Sequence, residues 1–151
     1  MTSATPRRRA REAVFQALYQ AEVCGDALPT AWAGVPQRDQ LPSDAKAYAE
    51  ELIRLLSQHL PEVDAALRPQ LENWRLERLG MTDRGALRLG AAELLFAEET
   101  PVRVVLDEAV ELASRFGGDG SGAFVNGVLD RLARRARPGD FQPSGVAGGD
   151  A

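Results

Sequence analysis

Cysteine, histidine and lysine each occur once in the 151-residue chain, as Cys24, His59 and Lys46. A single cysteine excludes an intrachain disulfide and fits a cytoplasmic, reducing setting. Cys24 and His59 alone cannot supply a Cys-ligated metal site or most zinc arrangements, so no metal and no cofactor is expected. Aromatic residues make up only 6% of the chain, and Val, Ile and Thr are too sparse for a β-rich fold. No alternating strand pattern and no quotable internal repeat is found. No apolar run approaches a membrane span, and the basic N-terminus is not followed by the apolar stretch of a signal peptide, so no membrane association is expected. His59 stands beside Leu60 and Pro61, away from any obvious nucleophile. No Ser, His and Asp set has a recognisable catalytic pattern, and no enzyme activity is expected.

The abundant residues are Ala, Leu, Arg and Glu, all good helix formers. Arginine supplies nearly all of the 18 basic residues, against 22 acidic ones, giving a formal net charge of −4. Such a chain is repelled overall by a polyanion, so only a local basic surface would bind one. The densest is Arg7, Arg8, Arg9 and Arg11, at the front of an amphipathic helix. Positive charge at a helix N-terminus opposes the helix dipole. The cluster is either a solvated helix start on an arginine-rich protein or a phosphate-binding site, which clustered arginines favour through counterion release.

Apolar spacing predicts an all-α fold of about six or seven helices. Residues 1–6 read as a flexible lead, 7–137 as one helical domain, and 138–151, rich in Gly, Pro, Asp and Ser, as a disordered tail. The first helix runs from about Arg7 to Cys24. A loop with at most a short helix near 30–33 covers residues 26–42. Ser43 is the expected N-cap of a helix to about His59, and Pro61 starts another that Pro69 kinks or ends. Residues 70–79 read as one or two helical turns with Leu71, Trp74 and Leu76 in the core. Thr82 is the expected N-cap of a helix to about Ala97. Thr100-Pro101 pairs an N-cap with a first-turn proline ahead of a helix ending at Phe116. The last helix spans about 123–136.

Each distinctive feature has a plain structural reading beside a functional one. Phe15 is expected in the core. Tyr19, whose hydroxyl needs water or a partner, fits either the core or a base-stacking surface beside the arginines. The loop Gly117-Gly-Asp-Gly-Ser-Gly122 lacks the Gly-Lys-Ser/Thr ending of a nucleotide loop and reads as a flexible connection. Phe116 and Phe124 flank it and are either core or partly exposed. Asn126 and Gly127 are weak helix formers inside a helix. Gly127 is expected to admit a neighbouring backbone, and Asn126 to bind either the facing loop or a ligand. Asp107, Glu108 and Glu111, like Arg131, Arg134, Arg135 and Arg137, read as solvated helix faces.

Arg7-Arg-Arg-Ala-Arg-Glu12 with Gln16-Ala-Leu-Tyr19 resembles the opening of the NusB transcription antitermination family. Asp83-Arg-Gly-Ala-Leu-Arg88 with Glu93-Leu94, the stretch Thr100 to Gly117, and Phe124-Val-Asn-Gly-Val-Leu-Asp130 follow in that family's order. The resemblance implies two small packed helical bundles and no catalysis. It implies binding to boxA-type single-stranded RNA of ribosomal RNA operons together with NusE, a small-subunit ribosomal protein, within an RNA polymerase antitermination complex. Carried over by position, it assigns RNA contacts to Arg7, Arg8, Arg9, Arg11, Tyr19, Phe116 and Phe124, and Asn126, read from its donors and acceptors as a ligand-binding candidate, is counted with them. It assigns the NusE side to Asp83, Arg84 and Glu93. The glycine-rich loop departs from the family pattern. Two other readings stand beside this one: a NusB-like RNA-binding module acting in trans with a ribosomal RNA methyltransferase, and a purely protein-binding helical scaffold.

Overall fold

The computed structural model describes residues 5–141. Among these, six α-helices run as α1 Pro6–Cys24, α2 Leu28–Ala33, α3 Ser43–Leu67, α4 Met81–Phe96, α5 Val102–Phe116 and α6 Ser121–Ala136. Short 3-10 turns at Pro36–Gln40, Arg68–Gln70, Leu76–Arg78 and Pro138–Phe141 complete them. No described helix is long and apolar enough to cross a membrane. Residues 1–4 of the expected lead and 142–151 of the expected tail lie outside the described residues. The first residues of that tail differ from expectation: Pro138–Phe141 make a helical turn, and Phe141 packs under the Arg134 guanidinium.

The N-cap of α1 is Thr5, inside the expected lead, whose hydroxyl accepts from the Arg8 backbone N–H at 3.0 Å. Three other caps differ from the sequence reading. Ser43 is the first residue of α3 after Pro42, Thr82 lies one residue inside α4 after Gly80, and Pro101 precedes α5 without a side-chain cap. Thr100 turns inward instead and is buried. Pro61 starts no separate helix. α3 continues through it with a kink at His59 (φ −120°, ψ 22°), the residue that relieves the missing proline N–H.

α4 is the central helix, packed against α1, α3, α5 and α6. Small residues make that possible: Gly85, Ala86, Gly90, Ala91 and Ala92 are all buried. A Cβ on Gly90 would lie 2.5 Å from Leu129 Cδ1 of α6, so a larger residue there would have to displace the Leu129 side chain. Gly127 is different from expectation, since the nearest atom to a Cβ there is Arg131 Nη1 at 3.6 Å and no backbone comes close. One continuous apolar core joins the two halves across α4, from Val14 and Leu52 to Val105 and Leu129.

Polar groups fix how the helices sit. Arg11 of α1 and Glu93 of α4 form a buried bidentate pair (Nε–Oε1 3.0 Å, Nη2–Oε2 2.8 Å), with side chains only 4% and 1% exposed. The Tyr48 hydroxyl of α3 donates to the same carboxylate and lies 3.2 Å from the Thr100 hydroxyl. Burial opposes the Arg11 charge, but the Glu93 bonds and charge outweigh it, and its pKa is raised. Arg137, expected in solvent, instead donates to the carbonyls of Glu93 (2.8 Å), Leu94 (3.0 Å), Ala97 (2.9 Å) and Thr100 (2.6 Å), closing the end of α4. Arg131 likewise donates to the Gln70 carbonyl at 2.8 Å. On the other side, Glu22 of α1 receives Arg84 and Arg88 of α4, and Arg88 grips Asp64 of α3 with two 2.9 Å bonds.

Two outcomes test this framework. Removing one member of a buried ion pair strands the other, so Arg11→Met and Glu93→Gln are each expected to lose about 3–5 kcal/mol in urea unfolding. Costs below about 1 kcal/mol would show that the pair does not hold α1 on α4. The Arg84 hydrogen bond, with the nearby Arg88 charge, holds the Glu22 carboxyl below the usual carboxylate range despite partial burial. A depressed folded pKa gives stability that is present above the unfolded value of about 4.3 and is lost as pH falls through the folded one. The Tm gap between the parent and Glu22→Gln is therefore expected to close on acidification, and a gap independent of pH would contradict it.

Candidate nucleic-acid interface

The four clustered arginines leave α1 in different directions, and their partners sort them. Arg11 is buried and bonded to Glu93. The structure thus takes both residues out of the surfaces expected for them: Arg11 from the RNA side and Glu93 from the NusE side. A bidentate pair in the core reaches no ligand without unfolding. Arg8 pairs bidentately with Glu108 of α5 (3.0 Å for both bonds), which raises its pKa chiefly through that hydrogen bond. Glu108 is therefore not a solvated face residue. Arg7 and Arg9 have no ion pair with any carboxylate among the described residues. The Arg7 guanidinium carbon sits 3.8 Å from the Tyr48 ring centroid, and Arg9 Nη2 donates to the Gln40 carbonyl at 3.0 Å.

Beside Arg9 lies a depression of about 300 Å³. Arg9, Gln16, Gln37, Gln40, Arg115 and Phe116 give it a polar rim and an aromatic wall. An adjoining hollow of about 250 Å³ shares Phe15, Gln16 and Phe116 and adds Tyr19 and Thr82. Phe116 is 47% exposed and Tyr19 is 40% exposed, whereas Phe15 is core, as expected. Phe15 supports Phe116 from behind at 5.3 Å between centroids, and the Arg115 guanidinium lies 4.9 Å from the Phe116 ring. Arg115 also pairs with Glu12. A half-exposed ring with a fixed back face is a platform on which an unpaired base can stack.

A third notch, about 200 Å³, opens where the 117–121 loop meets α4 and the 71–80 segment. Trp74, Asp83, Asp119 and Phe124 line it. Trp74, expected in the core, is 60% exposed and stands edge-on to Phe124 at 6.0 Å. Oδ1 of Asp83 is enclosed here without a hydrogen-bond partner among the described residues. Arg84, expected to face the same partner, turns away instead: it bonds Glu22 at 2.7 Å and the Leu79 carbonyl at 2.5 Å. Asn126 is exposed on α6 but lines none of these three hollows. Among the described residues, no cluster of three or more His, Cys, Asp or Glu is placed to hold a metal ion.

Of the residues named from sequence, Arg9, Tyr19 and Phe116 line these hollows and Arg7 does not, while Arg115, Gln37, Gln40 and the exposure of Trp74 were not anticipated. Arg115 carried a signal, standing directly before Phe116 at a helix end. The glutamines carried none, since they lie in a proline-punctuated loop.

Comparison with known proteins gives a consistent match. The NusB family model covers residues 8–134. A transcription antitermination protein NusB of Sorangium cellulosum is 46% identical over 127 residues, covering 84% of this chain and 91% of that protein. A NusB of Thermotoga maritima is 42% identical over 134 residues, covering 89% and 94%. A crystal structure of T. maritima NusB superposes with a TM-score of 0.84 at 40% identity, over 92% of this chain and 99% of that one. A crystal structure of the antitermination factors NusB and NusE with double-stranded RNA matches with a TM-score of 0.78 at 30% identity, over 86% and 97%.

The two tryptophans give an optical check on the site. Trp32 is 6% exposed and Trp74 is 60% exposed. Acrylamide is expected to quench one emission component strongly, and Trp74→Phe to remove it. A variant that keeps the quenchable component would place Trp74 in the core.

Proposed function

The chain belongs to the NusB family, and from that premise we propose that it is an RNA-binding transcription antitermination factor. It binds boxA-type single-stranded RNA of ribosomal RNA operons together with NusE, in the cytoplasm, as part of an antitermination complex with RNA polymerase. In this role it acts by binding alone, without catalysis. The observation that carries this reading is the pair Arg7 and Arg9. Neither has an ion pair with a carboxylate among the described residues: Arg9 opens onto the hollow walled by Phe116, where Glu12 is taken by Arg115, and Arg7 lies over the Tyr48 ring, outside both hollows. Guanidinium groups give sequence-independent affinity for phosphates, while rings and amide side chains engage unpaired bases. The notch of Trp74, Asp83, Asp119 and Phe124 supports contact with the protein partner, because its acidic and aromatic lining suits basic side chains better than phosphate.

Fluorescence anisotropy with boxA RNA and a scrambled control, with and without NusE, tests the function. Preference for boxA that sharpens with NusE is expected, and equal affinity for both RNAs under all conditions would contradict it. Each lost phosphate contact on a single strand lowers the slope of log affinity against log salt by about 0.7. Arg7→Ala with Arg9→Ala is therefore expected to lower it by roughly 1.4. Arg8→Ala, whose charge Glu108 already matches, is expected to change it far less. Equal losses from all three arginines would overturn this division of roles.

A further inference from the structure

Arg7 and Arg9 are both held by one short stretch of chain. Arg9 donates to the carbonyl of Gln40, and Arg7 lies over the ring of Tyr48, only 8 residues further along. Neither contact cancels charge. A carbonyl oxygen and an aromatic face orient a guanidinium while leaving it cationic, unlike the carboxylates of Glu108 and Glu93 that take Arg8 and Arg11. Tyr48 is itself fixed: the residue is buried, and its hydroxyl donates to Glu93 and meets Thr100. Phenol hydrogen-bonded to a carboxylate is electron-rich, which strengthens its attraction for a cation on its face. Long arginine side chains lose rotamer freedom on binding, and a preformed platform removes part of that cost.

We propose that Tyr48 is a positioning residue for RNA binding, its anchored ring holding the Arg7 guanidinium in place to meet a phosphate. This rests on the RNA-binding reading above. Tyr48 touches no nucleotide in this role and acts through Arg7 alone. The buried network thus does two jobs: Glu93 binds Arg11 to hold α1, and binds Tyr48 to hold the platform under Arg7.

A double-mutant cycle tests it, with anisotropy of a fluorescein-labelled boxA RNA at several salt concentrations and a Tm for each variant. Tyr48→Leu is expected to weaken RNA binding roughly threefold or more, as loss of a cation–π contact implies. In the Arg7→Ala background it is expected to have no further effect. Tyr48→Phe keeps the ring and loses the hydroxyl, so it is expected to lower Tm while keeping most of the RNA affinity. Arg7→Lys, at an exposed position that does not endanger folding, keeps the charge but loses the planar stack and is expected to bind between the parent and Arg7→Ala. Losses that multiply in the double variant, affinity that follows Tm through Tyr48→Phe, or an Arg7→Lys protein equal to the parent would each overturn the positioning role. A parent protein that fails to bind RNA would instead remove the functional reading on which the role depends.

Discussion

Two opposite charges, those of Arg11 and Glu93, lie buried between α1 and α4, and the geometry of the molecule is organised around satisfying them. An ion pair in that position is stable only if its remaining hydrogen-bonding capacity is met. Tyr48 of α3 and, through it, Thr100 ahead of α5 meet it. Arg137 closes the adjoining carbonyls at the end of α4. Two helices distant in sequence, α1 and α3, are thereby fixed to one carboxylate of α4, with Thr100 joined through Tyr48. The apolar core supplies most of the driving force for collapse, and the buried stripe of Ala10, Val14, Ala17 and Leu18 sets which face of α1 turns inward. The buried pair fixes that rotation at Arg11.

That rotation gives the arginine cluster its meaning. With Arg11 directed into the core, Arg8 falls against α5, where Glu108 meets it, and Arg7 and Arg9 fall toward the start of α3, where they meet a ring and a carbonyl. A cluster that looks uniform in sequence is thus two structural arginines and two with no ion pair among the described residues. Phe116 walls the hollow beside Arg9, and Phe15, packed against Gly85 of α4, supports it from behind. Stability and binding are coupled at this site through shared residues rather than through any moving part.

The helices that pack by a clean apolar stripe, α5 and α6, were readable from spacing to within a few residues, because burial on one face leaves a 3.6-residue period. Boundaries were less readable where tertiary context overrode local chemistry. Pro61 reads as a helix start, yet the kink at His59 lets α3 continue through it. Thr100 has the chemistry of a cap, but the Tyr48 hydroxyl claims it. At the site, residue type was legible and direction was not. Arg7 and Arg11 are one turn apart and chemically identical. What separates them is Glu93, 82 residues away from Arg11, which no local pattern reveals. Trp74 failed similarly, since an apolar side chain in an irregular segment does not announce which side faces water.

The central claim, that RNA engages Arg7 and Arg9 while Arg8 and Arg11 remain structural, is tested most directly by following the arginine Nε–Hε resonances through an RNA titration by NMR. The account predicts that Arg7 and Arg9 shift progressively with added boxA RNA while Arg11 stays fixed and slow to exchange, and Arg8 keeps the signature of its Glu108 pair. Shifts of equal size at all four arginines, or movement of Arg11 alone, would contradict it.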